Sequence, residues 1–169
     1  MPDHPFILRD AFPSELDTIS ALITASYLEY EPFYAPEVWQ RYIANVGRVD
    51  DLPSEAQLIV AERDGAIAGS VLFYADGSAS GQGEWPAGWA GILRLAVPPA
   101  HRGRGIGRAL VEECLRRARE AGVATIALHS TEWMSTAREM YARMGFVRVE
   151  AFDFMPRPGV IGMGYKLDL

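Results

Sequence analysis

Apolar residues fall in two rhythms along this chain, and the changes between them mark its elements. Leu16, Ile19, Leu22 and Ile23 share one face of a helix that Ser14 is placed to cap, with Pro13 outside it. A second helix starts near Glu37, carries Trp39, Tyr42, Ile43 and Val46 at helical spacing, and stops at Gly47. A third places Leu110, Val111, Cys114, Leu115 and Ala118 on one face, with Glu112/Arg116 and Glu113/Arg117 paired on the other, and ends at Gly122. The fourth carries Ala137, Met140, Tyr141 and Met144, with Thr136 and Glu139 at capping-box spacing and Gly145 as its stop.

Between these helices lie short apolar runs that read as strands: residues 6–9, 58–61, 68–73, 89–97, 125–129, 146–149 and 160–167. Asp64-Gly65, between the second and third runs, predicts a tight hairpin. Residues 27–36 form an aromatic and acidic loop, and the Gly- and Ser-rich residues 76–88 a mobile one. The order β-α-α-β-β-β-α-β-α-β-β predicts an α/β fold with a mixed sheet and helices on both faces, as a single domain over residues 1–169.

Composition narrows the class. A chain of 169 residues that is 49% hydrophobic and 22% charged is an ordinary globular domain with a sizeable core. It has no apolar run of membrane-spanning length, and its start, Met1-Pro2-Asp3-His4, does not resemble a signal peptide. The single cysteine, Cys114, sits at an apolar helix position and fits a reducing cytoplasm. Charge is divided: residues 1–88 carry 14 acids against 4 bases and residues 89–169 carry 8 against 12, within a net charge of −6. That division suits an enzyme bringing a cation to an anionic cofactor and argues against nucleic-acid binding. No metal-ligand spacing is present.

The chemistry concentrates in Arg102-Gly103-Arg104-Gly105-Ile106-Gly107, between the 89–97 strand and the third helix. A helix start offers unpaired N–H donors and a partial positive charge, glycine lets a ligand approach the backbone, and Arg102, Arg104 and Arg108 add full charges. Together these make a cradle for phosphate oxygens, the alternative being a Gly/Arg-rich turn that only caps the helix. A Walker A loop needs Lys and Ser/Thr after its last glycine, but Arg108 and Ala109 follow Gly107. The dinucleotide fingerprint needs a third glycine where Arg108 or Leu110 stands.

What fits is Arg-x-x-Gly-x-Gly (Arg102, Gly105, Gly107) behind Leu95-Ala96-Val97-Pro98-Pro99. It resembles the coenzyme A pyrophosphate loop of the GNAT superfamily of N-acetyltransferases. Ala137-x-x-x-Tyr141-x-x-x-Gly145-Phe146 is similar to that family's second signature, and the element order matches over nearly the whole chain. The resemblance implies the GNAT (acyl-CoA N-acyltransferase) fold, with the sheet splayed at its central strands. It implies acetyl-CoA held by Leu95, Ala96, Val97 and residues 102–108, including Ile106. It also implies the Leu95 N–H as oxyanion donor and Tyr141 as the acid that protonates the leaving thiolate. An amine acceptor, small or peptide, attacks directly. Where the family often has Asn and Glu, this chain has Met134 and Gly91.

The missing glutamate leaves the base open. Glu29, Glu31, Glu84 and His129 are its substitutes, and a water relay is another route. His101 adjoins the phosphate loop. Glu29, Tyr30, Glu31, Tyr34, Glu84, Trp85 and His129 are candidates for holding a small cationic acceptor, although the aromatics would equally serve to pin a surface loop. Against the enzyme stands an acyl-CoA sensor that has lost catalysis, or a binder of another nucleotide. The oligomeric state stays open, a homodimer included.

Overall fold

The computed structural model describes residues 6–169; the Met1-Pro2-Asp3-His4 start lies outside them. The strands are β1 (Ile7–Asp10), β2 (Ala56–Arg63), β3 (Ala66–Tyr74), β4 (Ala90–Ala96), β5 (Thr125–Ser130), β6 (Val147–Arg148), β7 (Phe154–Arg157) and β8 (Val160–Asp168). The helices are α1 (Leu16–Tyr27), α2 (Pro36–Val46), α3 (Ile106–Glu120) and α4 (Ser135–Arg143). One sheet runs β1-β2-β3-β4-β5-β8-β6, with β7 also on β8. Among the described residues only β4 and β5 pair in parallel.

Helices cover both faces, as the pattern requires. On one side α3 buries Ile106, Leu110, Val111, Cys114 and Leu115 against Ile59, Val71, Phe73, Ile92 and Ile126. On the other, α1 and α2 bury Ile19, Ile23 and Val46 against Val60 and Ala96. The period of two along β2 sends Ile59 and Ala61 to the first core and Val60 to the second. Asp64 (φ 51°) and Gly65 (φ 77°) both take left-handed conformations, the requirement of a type I′ hairpin turn.

Several local expectations are corrected. Ser14 does not cap α1. It lies in a 3-10 turn (Pro13–Glu15), where the Glu15 carboxylate accepts from the Phe12 N–H at 2.8 Å while held by Arg9. Thr136 and Glu139 form no capping box, because α4 starts at Ser135 behind Met134 and Glu139 pairs with Arg143 at 3.4 Å. A 3-10 run (Leu28–Phe33) replaces most of the aromatic loop. Residues 76–88 are no open loop: Asp76 caps a 3-10 turn (Gly77–Ser80) and Trp85 is buried. The extra strand β7 contains Pro156, tolerated because β7 is paired on one side only.

Gly47 ends α2 for a reason other than backbone freedom, since its φ is −85°. A Cβ there would lie 2.5 Å from Thr24 Oγ1 and 2.6 Å from Ser20 O, so the glycine lets α2 approach α1. Gly47→Ala should therefore destabilise the fold by about 2 kcal/mol, as overpacking does, despite alanine's better helix propensity. Equilibrium urea unfolding checks this; a stabilised variant would show that α1 gives way.

Candidate active site

The site begins with a break in the sheet. β4 and β5 pair at Ala90↔Ile126, Gly91↔Ala127 and Ile92↔Leu128, and no further. On its other side, β4 pairs Leu93 with Leu72 and then Ala96 with Ser70, so Arg94 and Leu95 oppose the single residue Val71. This is a β-bulge, which bends and twists the strand that carries it. Arg94 adopts a φ of 50°, at a cost of about 1–2 kcal/mol for a residue with a Cβ. Its Nη1 donates to Arg48 O at 2.6 Å. A cleft opens past Ile92, bordered by Leu93, Leu95 and Val97 on one side and by His129 and Ser130 on the other.

At one end the cleft meets the start of α3. Gly103 (φ 74°) and Gly105 (φ 78°) are left-handed, a conformation that favours glycine, and a Cβ on either would meet nothing within 4 Å. The helical ladder starts with Ala109 N–H on Gly105 O at 3.0 Å, leaving the first-turn N–H groups without intrahelical acceptors. Gly107 faces the groove with Val97 Cγ2 3.7 Å, Met140 Sδ 3.9 Å and Leu95 Cδ2 4.0 Å from where a Cβ would be. Nothing in the protein's own packing forbids a side chain there. The open space at Gly103 and Gly105, and the groove that Gly107 lines, fit a pyrophosphate seated on backbone donors.

The arginines divide their work. Arg102 Nε donates to Val97 O at 2.8 Å, and its Nη2 reaches Ser26 O at 3.2 Å and Glu29 at 2.6 Å. It ties the strand exit to the end of α1. Arg108 pairs with Glu112 at 2.8 Å on the helix surface, and Arg104 is exposed. His101 lines the same groove as Gly105 and Gly107, as do Tyr30 and Phe33.

Tyr141 lies buried in the wall of the cleft, with its ring edge-on to Phe146 at 5.6 Å. Burial pushes its hydroxyl pKa well up, and the hydroxyl has no hydrogen-bond partner among the described residues. Leu95 and Ala96 border the same cleft, and the Tyr27 hydroxyl donates to Leu95 O at 3.1 Å.

Beyond the bulge the cleft widens into a cavity walled by His129, Trp85, Phe154 and Met134. His129 is the first residue of β5 past the last β4 pair. Its ring lies 4.4 Å from those of Trp85 and Phe154, and its Nε2 is 2.8 Å from Phe152 O. A carbonyl only accepts, so Nε2 carries the proton and Nδ1 of the neutral ring is the free base. Burial lowers the His129 pKa, keeping that neutral form through pH 7. Next to Phe152, Asp153 is held by Arg148 through two 2.5 Å contacts.

A side chain at Gly91 would crowd the neighbouring backbone. A Cβ at 91 would stand 3.0 Å from the Gly77 Cα, and Gly77 N–H donates to Trp89 O at 2.6 Å. The two backbones touch.

The other expected acceptor residues do not gather at this cavity. Glu29 is paired with Arg102, and Tyr30 borders the cleft and the phosphate groove. Tyr34 is buried against Trp39, Tyr42 and Trp133. Glu84 and Glu31 are exposed. Sequence reading missed Arg94, Arg157, Tyr27 and Tyr42, which do line the cavity. Tyr27 and Tyr42 carried a signal, an aromatic on the inward face of each early helix. The arginines carried none. Among the described residues no group of three His, Cys, Asp or Glu could hold a metal, and no helix is long and apolar enough to cross a membrane.

The profile of the Acetyltransferase (GNAT) family matches residues 16–146, and the chain belongs to that family. It is 30% identical over 123 residues to N-acetyltransferase 8F1 of Rattus norvegicus, covering 68% of this chain and 53% of that protein. To N-acetyltransferase Eis of Mycobacterium tuberculosis it is 34% identical over 99 residues, covering 56% of this chain and 23% of that one. The chain thus spans about half the length of the first relative and about a quarter of the second. Its fold superposes on PaiA N-acetyltransferase from Thermoplasma acidophilum, solved with coenzyme A, with a TM-score of 0.76 at 17% identity over 97% of this chain and 99% of that one.

Proposed function

We propose that this chain is an acetyl-CoA-dependent N-acetyltransferase in which a bound amine attacks the thioester directly. The observation that carries the reading is a row of three adjoining cavities with shared walls: the groove at the Gly-rich start of α3 shares Leu95 and Val97 with the cleft beside Tyr141, which shares Arg94 and His129 with the cavity beyond. Bound acetyl-CoA would supply an activated acetyl group. The backbone of residues 103–108 would hold its phosphates, and Leu95 and Val97, unpaired toward β5, would line its arm.

Leu95 N–H is the donor for charge developing on the carbonyl oxygen. Tyr141 holds the proton that the departing sulfur takes up. The amine must lose a proton too: at pKa ~10.4, deprotonation at pH 7 costs about 4.6 kcal/mol. His129 Nδ1 is the base, with its tautomer fixed by Phe152 O. No acid lines the cavity to hold the cationic acceptor that the charge division suggested. Cys114 is buried and takes no part as a covalent carrier.

Calorimetry with acetyl-CoA, followed by thiol release across an amine panel, tests the transferase. Binding with thiol release supports it. Binding without release would favour the sensor, and no binding would remove the phosphate reading. His129→Gln should lower turnover about 100-fold at pH 7, with the deficit narrowing as pH approaches the amine's own pKa. Because burial lowers the His129 pKa, the wild-type rate should fall with acid only below the ordinary histidine value of 6.5. A deficit equal at every pH would assign His129 to packing instead.

A further inference from the structure

Two guanidinium groups, Arg94 and Arg157, line the His129 cavity, and among the described residues no Asp or Glu does. Each is fixed by something other than an acid. Arg94 donates to Arg48 O at 2.6 Å, and Arg157 lies 4.1 Å over the Tyr42 ring. Neither has a carboxylate partner among the described residues. Several part-buried arginines elsewhere do: Arg102 is paired with Glu29 at 2.6 Å, Arg117 with Asp10 at 2.6 Å and Arg148 with Asp153 at 2.5 Å.

The chain has acids to spare, at a net charge of −6. Two like charges in one concavity repel each other, more strongly as water is excluded. Held in place without counter-ions, they form a site for an anion, and guanidinium matches carboxylate by shape as well as charge. Ser130 and Thr131, 4% and 7% exposed, border the same cavity, and their buried hydroxyls have no partner among the described residues. The cavity of about 210 Å³ is smaller than the roughly 300–1,000 Å³ of drug-sized pockets. That size suits a small molecule.

We infer that the acceptor is a small amine that also carries a carboxylate, which Arg94 and Arg157 hold while the amine faces His129. This rests on reading the cavity as the acceptor site. It reverses the cationic acceptor suggested by the charge division: the acidic first half contributes surface and paired acids, not the lining of the cavity.

The test uses primary amines that differ only in carboxylate against carboxamide. β-Alanine, γ-aminobutyrate and alanine, each beside its amide, are assayed by thiol release from acetyl-CoA at equal free-amine concentration. The carboxylate member of at least one pair should show a kcat/KM at least about tenfold above its amide. In Arg157→Gln and Arg94→Gln that preference should collapse toward unity through KM, and Arg157→Lys should retain part of it. Equal or better use of the amides, or a preference that survives both glutamine variants, overturns the inference while leaving the transferase standing. If acetyl-CoA binds but no pair releases thiol, calorimetry of the same amines on the CoA-loaded protein decides. Carboxylate-selective binding that Arg157→Gln abolishes would support the anion site without turnover; absence of such binding would overturn the inference, while the wider amine panel alone decides the transferase.

Discussion

Gly107→Val should leave the fold intact and weaken acetyl-CoA binding by about a thousandfold. Gly107 lines the groove at the start of α3. Its φ is not left-handed, and a Cβ would make ordinary contacts at 3.7–4.0 Å with Val97, Met140 and Leu95. Alanine is therefore accommodated, but the two extra carbons of valine must project into the groove. Hydrogen bonds to a charged group are worth about 1.5–3 kcal/mol each, so displacing a phosphate from two backbone donors costs about 4 kcal/mol, or a factor of about a thousand. Calorimetry measures the affinity, and thermal unfolding confirms the fold. Gly105 is the poorer probe, because its φ of 78° would mix backbone strain with lost binding. Full affinity in the valine variant would remove the cradle.

Tyr141→Phe should lower kcat about a thousandfold, within the range of a lost general acid, with acetyl-CoA affinity nearly unchanged. Free phenol (pKa ~10) and free thiol (~8.5) differ by about 1.5 units in water. Burial pushes the Tyr141 hydroxyl further up, which alone would make it a poor acid. A thiolate forming in the same cleft is desolvated as well, so its own proton affinity rises alongside. The unpartnered Tyr141 hydroxyl then stabilises that charge as it develops. Pre-steady-state thiol release checks the step, and an unaltered rate would end the acid role.

The extent to which the sequence foretold this arrangement follows the range of the forces involved. Helical and strand periodicities and Asp64-Gly65 act over a few residues, and they place both cores and the order of the elements. Ser14 and Thr136 misled because a cap depends on where the chain enters the helix, and in the first case Arg9 holds Glu15 in the capping position instead. Arg102 reads as a phosphate ligand, yet its partners Ser26 and Glu29 lie more than seventy residues away in sequence. The Arg94 bulge arises from register against β3, which no local pattern encodes. Gly91 was legible as a departure from the family, but its cause was not, since Gly77 reaches it only through the folded loop. His129 read as one of several candidate bases; Phe152 and Trp85, which fix its ring, come from two other segments.

The lone cysteine has a practical consequence. Cys114 is fully buried in the α3 face of the core, and burial drives its thiol pKa far above the usual range. A thiol-reactive dye added to the folded protein should therefore count only the coenzyme released by turnover, with no background from the enzyme itself. The same dye, used without substrate, should label Cys114 at the rate at which α3 lifts from the sheet. One reagent thus serves as both the activity readout and a clock for opening of the core.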